Sequence, residues 1–299
     1  LTNTEIQRQI NQYHDYSARV YLNGTFYNCT GVTEITLPYK NPENENLDYF
    51  GLGDNVFYNC NNLQTINNLD QYVLNIGSTS EVGSSTDTGY QLFSRCNSLI
   101  IDNYYVEKFI APLLKVDVGV QSEISNGIFG VEAFSECNFG AIDNIVDLSN
   151  YRSGDQICLS TDGFFAKSSI KKFIYDIYPN QSNGRYCTIR NMFAYTPIEY
   201  CDLTGAGILQ LTSMVNYFRC AGAFKGCTNL ETLIVDNIEG DDFVGDLDKQ
   251  YDVFEGCTSL KTIIINNADM DGSSTQIDYL RAFLSRCGLD ADNIDIRFK

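Results

Sequence analysis

Apolar side chains return along the chain in a fixed order. In AFKGCTNLETLIVDN (223–237), Phe224 is followed by Cys227, Leu230, Leu233 and Val235. In VFEGCTSLKTIIINN (253–267), the same places hold Phe254, Cys257, Leu260, Ile263 and Ile265. The last two apolar positions of each copy are separated by one residue, the period of a strand with one buried face. ETLIVDN and KTIIINN are also rich in β-branched residues, which suits a strand. Each copy therefore predicts a short strand, entered through a turn that points Phe and Cys inward.

The order recurs over most of the sequence. Phe-x-x-Cys occurs at Phe26–Cys29, Phe57–Cys60, Phe93–Cys96, Phe134–Cys137, Phe224–Cys227 and Phe254–Cys257. Degenerate copies pair Phe165 with Ser168 and Phe193 with Thr196, and FLSRCGL (283–289) places Cys287 either four residues after Phe283 or three after Leu284. These make nine units, with successive Phe positions 31, 36, 41, 31, 28, 31, 30 and 29 residues apart. The strand spacing follows as Val32-x-x-Ile35-x-Leu37, Ile170-x-x-Phe173-x-Tyr175 and Ile198-x-x-Cys201-x-Leu203. A unit this small cannot bury its own apolar face, but stacked units share one core. Constant order makes the strands parallel, and nine rungs about 4.8 Å apart give a stack on the order of 40 Å. A Phe at one place in every turn forms a column of rings. The Cys after it is small, and its thiol can donate to a backbone carbonyl. Ser168 and Thr196 in the Cys slot fit that packing role better than redox or metal chemistry.

Length variation falls between a strand and the next Phe. NIGSTSEVGSSTDTGY (75–90), YPNQSNGRY (178–186) and the acidic IEGDDFVGDLDKQYD (238–252) read as exposed loops. The two ends of the stack need covering. Ile6, Ile10 and Tyr13 lie at helical spacing after Asn3 or Thr4, predicting a capping helix over 4–15. DADNIDIRFK (290–299) places Ile294 and Ile296 in strand register and carries five charged residues, as an exposed edge would.

Charge narrows the partners. A formal net charge of −18 repels phosphate backbones and anionic lipid, so neither nucleic acid nor a membrane surface is expected as a partner. No apolar run is long enough to cross a bilayer. The polar start lacks the pattern of a signal peptide, as in a cytosolic protein or in a mature or trimmed form whose export signal has been removed, and the missing initiator Met favours trimming.

There are eleven cysteines, an odd number, in a chain too long to need a disulfide scaffold. Stacked Cβ atoms about 4.8 Å apart exceed the usual disulfide separation of about 3.5–4.5 Å, so the column is expected to hold free, buried thiols. Cys158, Cys187, Cys201 and Cys220 lie outside it. Cys201 takes a strand-core slot, and a Cys187–Cys220 or Cys158–Cys187 bridge stays open.

AFKGCTNLETLIV, VFEGCTSLKTIII and VFYNCNNLQTI resemble the BspA-like leucine-rich repeats of bacterial surface proteins. Degenerate copies extend the resemblance over about residues 24–299, although these units are longer than that family's and mostly lack its Ile-Pro and Ile-Gly. The resemblance implies an α/β leucine-rich-repeat solenoid: a curved stack of about nine short parallel strands with irregular or short helical connections. Residues 1–23 would be the capping segment and 24–299 one continuous solenoid. It also implies an exported, cell-surface or secreted protein that mediates adhesion or recognition, with no catalytic residues to carry over.

The residues offer little catalytic chemistry. His14 is the single histidine, so a Ser-His or Cys-His pair would need it to reach across the fold. Asp241, Asp242, Asp246, Asp248 and Asp252, and likewise Asp290, Asp292 and Asp295, are dense enough to suggest calcium. Neither stretch has EF-hand spacing, and solvated acidic loops are expected instead. The stronger candidate is the outer sheet face. Strand parity turns Lys172 and Ile174, Tyr200 and Asp202, Thr232 and Ile234, and Thr262 and Ile264 outward, an unusually apolar stripe for a solvated face. The expectation is thus a monomeric, non-enzymatic binding protein without cofactor or metal, recognising a protein or glycan there. The alternatives are a carbohydrate-active solenoid enzyme using paired loop carboxylates, or a structural spacer.

Overall fold

The computed structural model describes residues 20–37, 50–74, 89–114, 130–151, 159–176, 187–210, 219–239, 252–266 and 274–299. The capping helix expected over 4–15, His14, and most of the acidic loop with Asp241, Asp242, Asp246 and Asp248 lie outside them.

The Phe–Cys turn builds each of the first eight coils in the same way. Two residues after the Phe, the backbone is left-handed at Asn28, Asn59, Arg95, Glu136, Lys167, Tyr195, Gly226 and Gly256, with φ from 57 to 84°. This reversal sends the Cys inward. It is easy for Gly, tolerable for Asn, and strained for Arg, Glu, Lys and Tyr. Successive turns are joined by a parallel ladder. The amide of Phe26 donates to the Val56 carbonyl at 2.9 Å, Phe57 to Leu92 at 3.1 Å, and Phe93 to Ala133 at 2.9 Å. The series continues through Phe134 to Phe164, Phe165 to Met192, Phe193 to Ala223 and Phe224 to Val253, all at 2.9–3.0 Å.

The strand after each turn forms a second parallel ladder, but this one is broken. Glu34–Thr36 of coil 1 pairs with Thr65–Asn67 of coil 2. A separate six-stranded sheet joins Ile145–Asp147, Lys172–Ile174, Tyr200–Asp202, Thr232–Val235, Thr262–Ile265 and Asp295–Phe298, from coils 4 to 9. Among the described residues coil 3 supplies no strand there, and in place of the nine expected strands this ladder has two and six, in separate runs. In coil 3 the strand's place is taken by a helical segment, 103–114, with a π-turn at Val106–Ile110. Asp102 starts it by accepting hydrogen bonds from the amides of Tyr104 (3.0 Å) and Tyr105 (3.4 Å). Its buried side chains include Tyr105 and Phe109, which meet the Phe93 ring edge-on at 5.5 and 5.3 Å. The helix closes the core where a strand would.

Shorter ladders run along another side of the coils: Val20–Tyr21, Phe50–Leu52 and Val73–Leu74; Ser160–Asp162 with Thr188–Arg190; and Ile208–Gln210 with Asn237–Glu239. The repeat pattern did not foresee these second strands. Coil 9 also departs from expectation. Ser274–Arg286 is an α-helix that buries Leu280, Phe283 and Leu284, and Cys287 follows it, so FLSRCGL is a helix end rather than another Phe–Cys turn. The final strand, Asp295–Phe298, is the sheet edge expected of it, with Ile294 buried and Asp295 and Arg297 exposed.

The ring column exists in two parts. Phe26, Phe57 and Phe93 stack at 5.5 Å and nearly parallel (1° and 3°), and Phe134 follows at 5.2 Å but tilted by 38°. Phe165, Phe193, Phe224 and Phe254 form the second run at 5.9, 5.5 and 5.5 Å. Between them Phe134 meets Phe164 rather than Phe165, and Phe139 meets Phe165 edge-on at 5.6 Å. Coil 4 carries an extra 3-10 turn, Gly140–Ile142, before its strand. The column is faulted at that coil.

Candidate binding face

All eight residues expected on the sheet face come together in two neighbouring rows. Backbone register places Lys172, Tyr200, Thr232 and Thr262 side by side, and Ile174, Asp202, Ile234 and Ile264 beside them. Seven are half-buried by their cross-strand neighbours, but Ile264 is buried at 9 % exposure. It stands in register between Ile234 and Arg297, two long side chains that narrow its access to water. Ile264 is therefore not part of an exposed stripe. The rows also extend further than the sequence reading took them: Ile145 and Asp147 continue them on coil 4, Asp295 and Arg297 on coil 9. Ile145 is 39 % exposed and was missed because the 3-10 turn displaces its strand from the usual spacing.

The middle of the face is polar and ordered. The Lys172 ammonium lies 5.0 Å from the centre of the Tyr200 ring, a cation–π contact. The Tyr200 hydroxyl donates to Asp202 at 3.4 Å, and burial together with the Asp202 carboxylate pushes Tyr200 up to about 12. Asp202 also accepts from the Thr204 amide (3.0 Å) and hydroxyl (2.6 Å). Past the strand ends lies Asp236, buried at 6 % exposure, whose carboxylate accepts from the Gly205 amide at 2.6 Å. Burial raises Asp236 to about 6, with Asp202 and Asp176 adding repulsion. This acid, two residues beyond Ile234, was not singled out in the sequence because the strand pattern ends before it.

The cysteine column is structural in its geometry. The thiols of Cys60, Cys96, Cys137, Cys227 and Cys257 donate to the carbonyls of Phe26, Phe57, Phe93, Phe193 and Phe224, one coil back, at 2.9–3.0 Å. Burial pushes Cys60 and Cys227 up to about 11, and Cys137 and Cys287 to about 12. Such thiols stay protonated at neutral pH and are poor nucleophiles or metal ligands. The two substitutes behave differently from each other. Thr196 donates to the carbonyl of Phe193 in its own coil at 2.8 Å, whereas the buried Ser168 hydroxyl finds no partner. Cys187 and Cys220 are buried, unbridged and in thiol contact; that contact, then burial, raises Cys187. Cys158 lies outside the described residues.

Three of the described acidic residues have structural partners. Asp252 accepts from the Gly222 amide at 3.2 Å, Asp290 from the Asn293 amide group at 2.7 Å, and Asp295 pairs with Arg297. Among the described residues no group of three or more His, Cys, Asp or Glu is placed to hold a metal ion. No described helix is long and apolar enough to cross a membrane.

No protein-family model matches the chain, and no curated protein matches it. Among solved structures it is similar to a leucine-rich repeat protein from Bacteroides ovatus ATCC 8483, at 16 % identity and a TM-score of 0.32. That match covers 94 % of this chain and 66 % of the other, just under two thirds of its length. At this level the likeness carries no argument, and the repeat architecture stands on the coils themselves.

Proposed function

We propose that the protein is a non-enzymatic binding repeat protein, exported to the cell surface or secreted, which recognises a protein or glycan on the outer face of its six-stranded sheet. The observation that carries this reading is the alignment of the face. Four adjacent strands hold Lys172, Ile174, Tyr200, Asp202, Thr232, Ile234 and Thr262 in two straight rows. A sheet fixed by backbone hydrogen bonds presents such groups with little ordering cost on binding. Apolar Ile174 and Ile234 beside a Tyr and paired charges match the mixed character of recognition surfaces.

The test is an array of extracellular proteins and glycans probed with the purified chain, repeated with a Lys172→Glu, Ile234→Asp variant. Neither side chain is buried in the core, so thermal melting should stay close to that of the parent. Loss of binding with the melt preserved is the expected result. Full retention of array binding by the variant would move the site off this face.

A further inference from the structure

We propose that Cys187 and Cys220 are the site of a disulfide bond, closed as the chain folds in an oxidising compartment. The structure shows the reduced pair, with both side chains buried at 1 % exposure and their thiols in contact. Cys187 directly precedes the strand Thr188–Arg190 of coil 6, and Cys220 opens the next coil's Phe–Cys turn. The Ile189 amide donates to the Arg219 carbonyl at 2.8 Å, and the Asn191 amide to the Ala221 carbonyl at 2.9 Å. Those two bonds bracket Cys220 and tie its backbone to the coil that carries Cys187.

The column cysteines are placed differently. Cys60, Cys96, Cys137, Cys227 and Cys257 each donate a thiol to a Phe carbonyl one coil back. Equivalent positions on adjacent coils also stand about 4.8 Å apart with parallel Cα–Cβ bonds, beyond the usual Cβ separation of a bridge. Cys187 and Cys220 are not equivalent positions. The bracketing bonds set Cys220 opposite Ile189, so Cys187 meets it on a diagonal. The chain at 219–220 is a turn rather than a flat strand, and there the two thiols converge. Two sulfurs in contact, each on a backbone held by its neighbour coil, are what pairing requires.

Closure joins sulfur to sulfur and removes two protons and two electrons. A small disulfide such as oxidised glutathione accepts them. One cysteine thiolate attacks it and releases a glutathione thiolate, and the second cysteine thiolate then displaces the other glutathione. The two released thiolates take up the two protons. Both steps need accessible thiolates, whereas the Cys220 contact and burial hold Cys187 well above its ordinary value. The bond is therefore made while the chain folds, and afterwards the core shields it from reductant. It ties residue 187 to residue 220 and so restricts the unfolded chain. The oxidising compartment rests on the export reading above; the geometry of the pair does not. In a reducing cytosol the same two thiols stay unpaired.

The experiment unfolds the full chain in denaturant with reductant, then refolds it in a buffer of reduced and oxidised glutathione. Free thiols are alkylated and the digest is mapped by mass spectrometry. The expected result is one linked peptide pair, Cys187 with Cys220, with the column cysteines alkylated. The bridged chain should melt several degrees above the same chain refolded with reductant alone, and Cys187→Ala should remove that difference. Reductant added to the folded chain should leave the bridge intact, and reductant with denaturant should open it. Alkylation of both Cys187 and Cys220 after oxidative refolding overturns the site. Pairing of either one with Cys158 or with a column cysteine also overturns it. A bridge that forms without raising the melt overturns its stabilising role. The map reads the parent chain, so it decides the site even if Cys187→Ala fails to fold. It is also independent of the array, so the bridge and the sheet-face reading fail separately.

Discussion

Coils 5 to 8 and coils 3 to 4 are built from one turn, yet only the first group keeps both ladders regular. From Phe165 to Phe254 the rings stack at 5.5–5.9 Å and the strands pair without a break. In coil 3 the strand is replaced by a helix, and in coil 4 it is delayed by a 3-10 turn. The turn ladder nevertheless crosses both coils, with Phe93 donating to Ala133 at 2.9 Å and Phe134 to Phe164 at 3.0 Å. Continuity of the stack therefore resides in the Phe–Cys turns. The strands are a face that the turns support, and a coil can exchange its strand for a helix without unthreading the rest.

The largest test of this comparison removes a ring from each region. Phe224→Ala in the regular run should cost about 3–5 kcal/mol, the usual loss for a fully buried Phe. Phe93→Ala should cost as much, because Phe93 belongs to the same spine and also meets Tyr105 and Phe109. Shifts in the urea midpoint measure both. A Phe93 loss well below the Phe224 loss would mean that the sheet, absent in coil 3, carries the stability instead.

A smaller change transfers the fault into the regular run. Cys227 donates to the Phe193 carbonyl at 2.9 Å, and the Thr196 hydroxyl lies 3.6 Å from its sulfur. Cys227→Ser should lose the thiol bond and leave a hydroxyl as poorly placed as that of Ser168, costing about 1–3 kcal/mol. Cys227→Ala, which leaves no polar atom to satisfy, should cost less than the serine. If serine were the milder substitution, the column would be tolerant of hydroxyls and Ser168 would need no special account.

How far the sequence could be read depends on how local each demand is. Phe, Cys and the two alternating strand positions answer to one coil's own geometry, so they recur visibly. The helices of coils 3 and 9 were also written in the chain. Tyr105, Val106, Phe109, Ile110 and Leu113 fall at helical spacing, as do Leu280, Phe283, Leu284 and Cys287. The repeat pattern masked the second, because Cys287 three residues after Leu284 passes for a degenerate copy of the Phe–Cys turn. The burial of Ile264 was not legible, since parity tells which way a side chain points and not how long its neighbours are. The unpartnered Ser168 hydroxyl was less so. It comes from a mismatch between two coils, and no single coil's residues announce it.

Coils 7 and 8 differ at one register position beyond the strand, Asp236 in one and Asn266 in the other. Asp236 is raised to about 6, above its ordinary 3.8, chiefly by burial. The folded state therefore binds its proton more tightly than the unfolded chain. Ionisation of Asp236 weakens the fold fully above pH 6, and that loss is recovered as pH falls from about 6 toward 4. Asp236→Asn should raise stability at pH 7.5 by about 1–2 kcal/mol and flatten the melting temperature between pH 7.5 and 5. An unchanged slope over that window would place the titrating group elsewhere.

The finest test compares the left-handed position of coil 6 with that of coil 7. Tyr195 holds φ at 59° with a side chain, while Gly226 holds 72° without one. Tyr195→Gly should relieve about 1 kcal/mol of backbone strain, less what it adds in unfolded-chain entropy, so the net gain should be a few tenths of a kcal/mol. Gly226→Ala should lose about 1 kcal/mol from the same strain. It should lose somewhat more because its new Cβ would lie 2.5 Å from the Tyr195 ring. The two substitutions should therefore couple: with Tyr195→Gly already in place, Gly226→Ala should cost only the strain. Additive losses in that double-mutant cycle would show the Tyr195 ring moving aside freely, and the turns would then be stacked by backbone alone.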